Sequence, residues 1–160
     1  SDWDTNPLRR PIMSVPIETA LDLLVAQLRD GLDFYRFAQH RTQDREVSAA
    51  FGLAAEVRGL MLKDLQRAGA IGDPSREQPI PIDDPAMRYA DLRERLDATH
   101  PELVATELKK REASLAQLVE TLFKSHPAPG VRRVMKNYFP RVKHCAEMMR
   151  RLSHRGDVAA

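Results

Sequence analysis

The chain has a single cysteine, Cys145, in 160 residues. No disulfide can close within it and no cysteine-based zinc site can form, a usage that fits a reducing compartment. No apolar run approaches the roughly 18 residues that a membrane helix needs, and the first residues carry no signal-peptide core. Together these absences set the expectation of a cytoplasmic protein without a membrane partner. Glycine is scarce, at seven residues, and so are aromatics, while Ala, Leu, Arg and Glu are plentiful. That balance favours helix over sheet. No Ser/His/Asp set, phosphate-cradling glycine loop or dinucleotide fingerprint is present.

What is present is ordinary in bulk and lopsided in detail. A 42% apolar, 30% charged chain is typical of a globular domain, and one of this length buries about two thirds of its unfolded surface. The net charge of +2 hides an asymmetry. Residues 1–123 hold 16 Lys/Arg against 21 Asp/Glu, whereas Lys124 to Gly156 holds nine Lys/Arg against one acid, Glu147.

Hydrophobic spacing places the elements. Residues 1–15, with Pro7 and Pro11, show no periodicity and read as an extended arm whose Trp3, Ile12 and Met13 suit another surface or a second copy. From Pro16, a good first-turn residue, Leu21, Leu24, Leu28, Leu32, Tyr35 and Ala38 recur at three- and four-residue steps. Asp44 is a natural N-cap for a second helix carrying Val47, Phe51, Ala54, Val57, Met61 and Leu65, closed by Gly69. The short link makes these two an antiparallel hairpin. "AMRYADLRERL" after Asp84-Pro85 reads as a short helix, and "THPE" at 99–102 as a capping box opening a third long helix with Leu108, Leu115 and Leu122 inward. A fourth carries Val131, Val134, Met135, Tyr138, Val142, Cys145, Met149 and Leu152 to Gly156, with a kink expected at Pro140. Two tight hairpins joined by about thirty residues require a chain that crosses the full length of a bundle, which is the ferritin-like arrangement.

The stretch 23–65 resembles the first hairpin of rubrerythrin-like proteins of the ferritin-like superfamily, through Gly31, Asp33, Phe34 and Tyr35 and then Phe51, Leu53 and Ala54. The second half resembles a bacterial domain-of-unknown-function branch of that superfamily. The likeness spans roughly residues 17–153. It implies an all-α, ferritin-like four-helix bundle over residues 16–156, two antiparallel hairpins joined by a crossover with a short extra helix, and pairing into a homodimer. It also implies a di-iron centre with a Glu from each of two helices and Glu-x-x-His from the others. Carried over, those positions fall on Leu28, on Val57 and Leu60 (or Glu56 and Gly59), on Glu107 or Glu112, and on Lys143 with Ala146 or Arg141 with His144. The expectation is therefore a bundle without a complete di-iron site, its centre filled by apolar packing, and no cofactor. The alternative is a di-iron or di-manganese oxidoreductase or metal-storage protein with an atypical site built from Glu56, Glu112 and His144.

The other candidates have plain readings. His100 and His126 sit at helix boundaries, and His40 and His154 near helix C-termini. Cys145 reads as a buried, inert thiol. Arg132, Arg133, Lys136, Lys143, Arg150 and Arg151 form a cationic row on or beside the outward face of the fourth helix. It reads as a solvated face, or as a surface for nucleic acid, another anionic partner or the acidic half of a second copy. No aromatic residues are expected to interleave with it.

Overall fold

The computed structural model describes residues 17–73, 82–97 and 99–159. The arm over 1–15, the start at Pro16 and much of the proline-rich stretch lie outside them. Among the described residues all regular structure is helical: α1 (Ile17–Gln39), α2 (Arg45–Arg67), α3 (Ala105–Lys124) and α4 (Pro129–Ala159).

The local sequence explains where the helices begin and end. The Asp44 Oδ1 accepts hydrogen bonds from the N–H groups of Glu46 and Val47 at 3.0 and 3.2 Å, which caps α2. The Ser48 hydroxyl donates to the Gln39 carbonyl at 3.1 Å and ties α2 back to the end of α1. At the other end of α2, Ala70 N–H donates to the Leu65 carbonyl and Gly69 N–H to that of Gln66, with Gly69 at φ 71°. This double closure needs a left-handed residue, and glycine adopts it without a Cβ clash.

The apolar rows face one another as their spacing requires. Leu24, Leu28, Tyr35 and Ala38 of α1 are fully buried, as are Val47, Phe51, Ala54, Met61 and Leu65 of α2. Leu21 and Leu32 are only partly buried. In α3 both Leu118 and Val119 are buried, and the inward row expected for α4 is buried throughout.

Four helix pairs pack closely: α1 with α2, α3 with α4, α2 with α4, and α1 with α3. α2 and α4 run antiparallel. Arg155, near the end of α4, reaches Asp44 Oδ2 at 2.5 Å and Glu46 Oε2 at 3.2 Å at the start of α2. Gly130, at the start of α4, lies so near Ala68 that an added Cβ would come within 2.9 Å of the alanine methyl. Between these ends the Tyr138 hydroxyl donates to Asp64.

Two expectations are corrected. Residues 85–96 form no short α-helix. They make two 3-10 turns, Pro85–Met87 and Ala90–Leu92, because Tyr89 N–H is taken by the Asp30 carboxylate of α1 at 2.6 Å and not by a preceding carbonyl. The capping box does not form. The Thr99 hydroxyl donates to Asp97, a 3-10 turn follows over Pro101–Val104, and α3 starts only at Ala105. The fourth helix is not split at Pro140: α4 runs as one helix from Pro129 to Ala159. Pro140 is exposed, and on that face water can satisfy the carbonyl that proline leaves without a donor.

Residues 82–97 of the connection between α2 and α3 form a strap over α1 and α3. Tyr89 and Leu92 are buried beneath it. Arg111 of α3, itself buried, donates to the carbonyls of Arg88 at 2.8 Å and Pro85 at 3.4 Å.

Replacing Asp44 by Ala removes the α2 cap and should lower stability by about 1–2 kcal/mol in urea unfolding. Arg155→Ala should cost about 0.5 kcal/mol, since exposed pairs are weak. Arg155 and the Val47 N–H hold the Asp44 carboxyl below its ordinary value. A carboxylate with a depressed folded pKa stabilises above its ordinary titration range and loses that contribution as pH falls through the folded value. The difference between wild type and Asp44→Ala should therefore shrink below about pH 4.

Candidate functional site

Two charged residues stand in the buried rows of facing helices. Arg58 sits among Ala54, Val57, Met61 and Leu65 of α2, and Glu112 among Leu108, Leu115 and Val119 of α3. Arg58 is 1% exposed and Glu112 is not exposed at all. Their charges meet at 2.5 Å, Arg58 Nη2 to Glu112 Oε1. The same carboxylate oxygen accepts the Tyr35 hydroxyl of α1 at 2.6 Å. Arg58 also donates to the Tyr89 hydroxyl of the strap at 2.9 Å and to the Ala54 carbonyl at 3.2 Å. One network thus joins α1, α2, α3 and the connection.

Aromatic rings enclose this network. The Arg58 guanidinium carbon lies 4.8 Å from the Tyr35 ring centre and 5.6 Å from that of Tyr89, a cation–π arrangement that strengthens when desolvated. Phe34 packs edge-on to Tyr35 at 5.5 Å and against Tyr89 at 6.0 Å, and Phe51 lies 5.7 Å from Tyr35. Gly31 of α1 makes room for the charge. A Cβ there would lie 2.4 Å from Arg58 Nε.

The electrostatics favour holding over reacting. Burial alone would lower the Arg58 pKa, but attraction to Glu112, with Tyr89 and Tyr35 adding to it, outweighs burial and raises it. Burial, and next the Glu112 charge, push Tyr35 well above its ordinary value. Burial likewise raises Tyr89, against the pull of Arg58. Cys145 is buried, and burial followed by Glu112 pushes its thiol up to about 12. None of these groups is a nucleophile or a base near neutral pH.

The positions expected to hold metal do not converge. Leu28 and Val57 are buried in the core and Leu60 is partly buried. Glu56, Arg141, Lys143 and His144 are exposed. Glu107 pairs with Arg111 at the margin. Of the three atypical ligands only Glu112 faces the centre, so Glu56, Glu112 and His144 form no site. Glu56 and His144 occupy outward turns of α2 and α4. Among the described residues no three His, Cys, Asp or Glu side chains stand close enough to hold one ion. A two-metal carboxylate centre does not fit here. The one central carboxylate is already matched by a guanidinium and a phenol. The expectation of purely apolar filling is also corrected, because Arg58 and Glu112 take the middle of the core.

Arg58 was missed as an inward residue because a charge among Val57, Gly59 and Leu60 reads as solvent-facing. The available signal was its spacing, four residues after Ala54 and three before Met61.

The cationic row is where the periodicity put it: Arg132, Arg133, Lys136, Lys143, Arg150 and Arg151 are all exposed. The expected lack of aromatics beside it is corrected. The Arg132 guanidinium lies 4.2 Å from the Phe123 ring centre, Lys143 Nζ lies 5.3 Å from that of Phe139, and Arg141 covers Tyr138.

Glu112→Ala should cost about 3–5 kcal/mol in chemical unfolding, because it leaves Arg58 buried and unpaired. The double change Arg58→Met with Glu112→Leu should recover most of that loss. Gly31→Ala should destabilise by about 1–3 kcal/mol through the clash with Arg58. Gly59→Ala, where a Cβ meets nothing within 4 Å, should stabilise by about 0.5–1 kcal/mol.

No protein-family model, curated protein or solved structure matches the chain, so its function is read from this geometry.

Proposed function

We propose that the chain is a ferritin-like four-helix bundle in which an internal cation, Arg58, takes the place of a metal centre. On this reading it works through its surfaces, by self-association or by binding a protein partner, and not as a catalyst. The observation that carries the reading is the Arg58–Glu112 pair at the middle of the core. It occupies the only central carboxylate among the described residues with a protein charge.

The helix order supports the ferritin-like reading. α2 and α3 are consecutive in the chain, yet the close pairs are α1–α2, α2–α4, α4–α3 and α3–α1. The short links make α1–α2 and α3–α4 antiparallel hairpins, and α2 is antiparallel to α4. α2 and α3 must then point the same way, and residues 68–104 must traverse the length between them, as a long-crossover bundle requires. A simple up-down-up-down bundle would instead set α2 beside α3.

The surface reading is supported by the full burial of the central ion pair. It is also supported by the dense outward charge of α4. Pairing into a homodimer follows from the family resemblance. No described helix is long and apolar enough to cross a membrane.

Metal content tests the core of this proposal. After loading with Fe(II) and Mn(II) under argon and desalting, elemental analysis should find little retained metal. About two metals per chain, the stoichiometry of a dinuclear centre, would overturn it. Sedimentation velocity should find a dimer, and a monomer at every concentration would remove the self-association arm.

A further inference from the structure

The outer face of α3 and α4 holds a shallow apolar groove rimmed by Lys109, Lys143 and Arg150 with Glu120 and Glu147. Further bases, Arg132, Arg133 and Lys136, continue along α4 beyond it. The groove holds about 440 Å³. Its floor is small and apolar: Ala113 and Ala116 of α3 with Ala146 of α4, closed at one end by Phe139. The lining runs from Lys109 to Glu120 on α3 and from Phe139 to Arg150 on α4. Eleven helical steps correspond to about 16 Å. That length matches three turns of an added helix, and alanines let its backbone approach closely.

Charge selects the occupant. The row from Arg132 to Arg151 extends about 28 Å along α4. Its one acid, Glu147, is shared by Arg150 at 2.7 Å and Arg151 at 3.4 Å. Among the described residues, Arg132, Arg133, Lys136 and Lys143 have no acid within 4.0 Å. A second copy offering this same face would bring positive charge against positive charge, so the occupant is not this face repeated.

Other anions fit less well. A lipid surface needs apolar side chains that insert, and the exposed large apolar residues among those described, Leu23 and Leu103, are not on this face. Single-stranded nucleic acid needs free ring faces for stacking, and here Phe123 and Phe139 are covered by Arg132 and Lys143. A phosphate backbone also has no use for an alanine floor.

We infer that the α3–α4 face is a docking groove for an acidic amphipathic helix of a protein partner. The partner's small apolar residues seat on Ala113, Ala116 and Ala146, and its carboxylates meet Lys143, Lys136, Arg132 and Arg133. This is a helix-in-groove mode read through anchors three and four residues apart. The inference deepens the proposed role in protein binding and names the partner's chemistry.

The test uses the full chain and fluorescein-labelled probes in an anisotropy titration. One probe is a 20-residue peptide with Ala and Leu on one helical face and Glu on its flanks. The second is the same composition scrambled, and the third is a 20-nucleotide oligothymidylate. The amphipathic peptide should bind at least about tenfold more tightly than the scrambled one, a difference of about 1.4 kcal/mol. Lys136→Glu with Lys143→Glu should weaken it about tenfold or more, with a smaller salt dependence. Ala113→Trp, at an exposed position that leaves the core untouched, should block it by filling the floor. Helical content of each variant by circular dichroism keeps misfolding separate from lost binding.

Equal binding of the two peptides, or binding indifferent to Ala113→Trp, overturns the groove and leaves only a charged surface. Tighter binding of the oligothymidylate makes the face a nucleic-acid surface and overturns the inference. No binding of either peptide also overturns it. Retained metal would sink the proposed function without touching this result, and failed peptide binding would leave the metal measurement standing.

Discussion

The structure depends on one buried charge being matched. Arg58 lies in the middle of the core, and a lone guanidinium there would cost several kcal/mol. Its neighbours answer most of that cost, although Arg58 Nε is left without a hydrogen-bond partner. Glu112 neutralises it from α3, Tyr35 from α1 orients the carboxylate, and Tyr89 from the connection takes a further N–H. Gly31 is bare so that the side chain can lie across α1. A wholly apolar centre would be nearly as stable. What the ion pair adds is specificity, since only one way of docking the two hairpins brings Arg58 to Glu112.

The same arrangement closes the central carboxylate off from the outside. A carboxylate that could hold a metal or abstract a proton needs free lone pairs and an approach from outside. Glu112 Oε1 already accepts two donors, and Oε2, which has no hydrogen-bond partner, is sealed in the core with no approach from outside. The aromatic side chains of Phe34, Phe51 and Tyr89 close the space around it. Away from this closed centre, a row of exposed basic residues lies along the outside of α4.

Much of the helical layout was legible from spacing alone, because periodic apolar residues and local capping are written in consecutive positions. Asp44 and Gly69 do in three dimensions what their types and places imply. The connection was not legible. Whether residues 85–96 form an α-helix or two short turns is settled by Asp30, some sixty residues earlier, which takes the Tyr89 N–H. Thr99 likewise bonds Asp97 and ignores its capping partner. The central site was half legible. Glu112 was among the inward candidates, and Gly31 and Tyr35 stood out in the first hairpin. Arg58 did not, since a charge in a helix reads as solvent-facing until its partner on another helix is known.

The diagonal placement of the pair has a consequence for how the chain assembles. Each hairpin joins helices close in sequence, so both can form early with little loss of chain entropy. Arg58 and Glu112 lie 54 residues apart, on opposite hairpins. While the hairpins are separate, each charge remains hydrated. In a loosely docked intermediate both would be stripped of water before they meet, the least favourable condition for either. Half-docked forms are therefore penalised, and the two halves should close in a single cooperative step with Tyr89 arriving alongside.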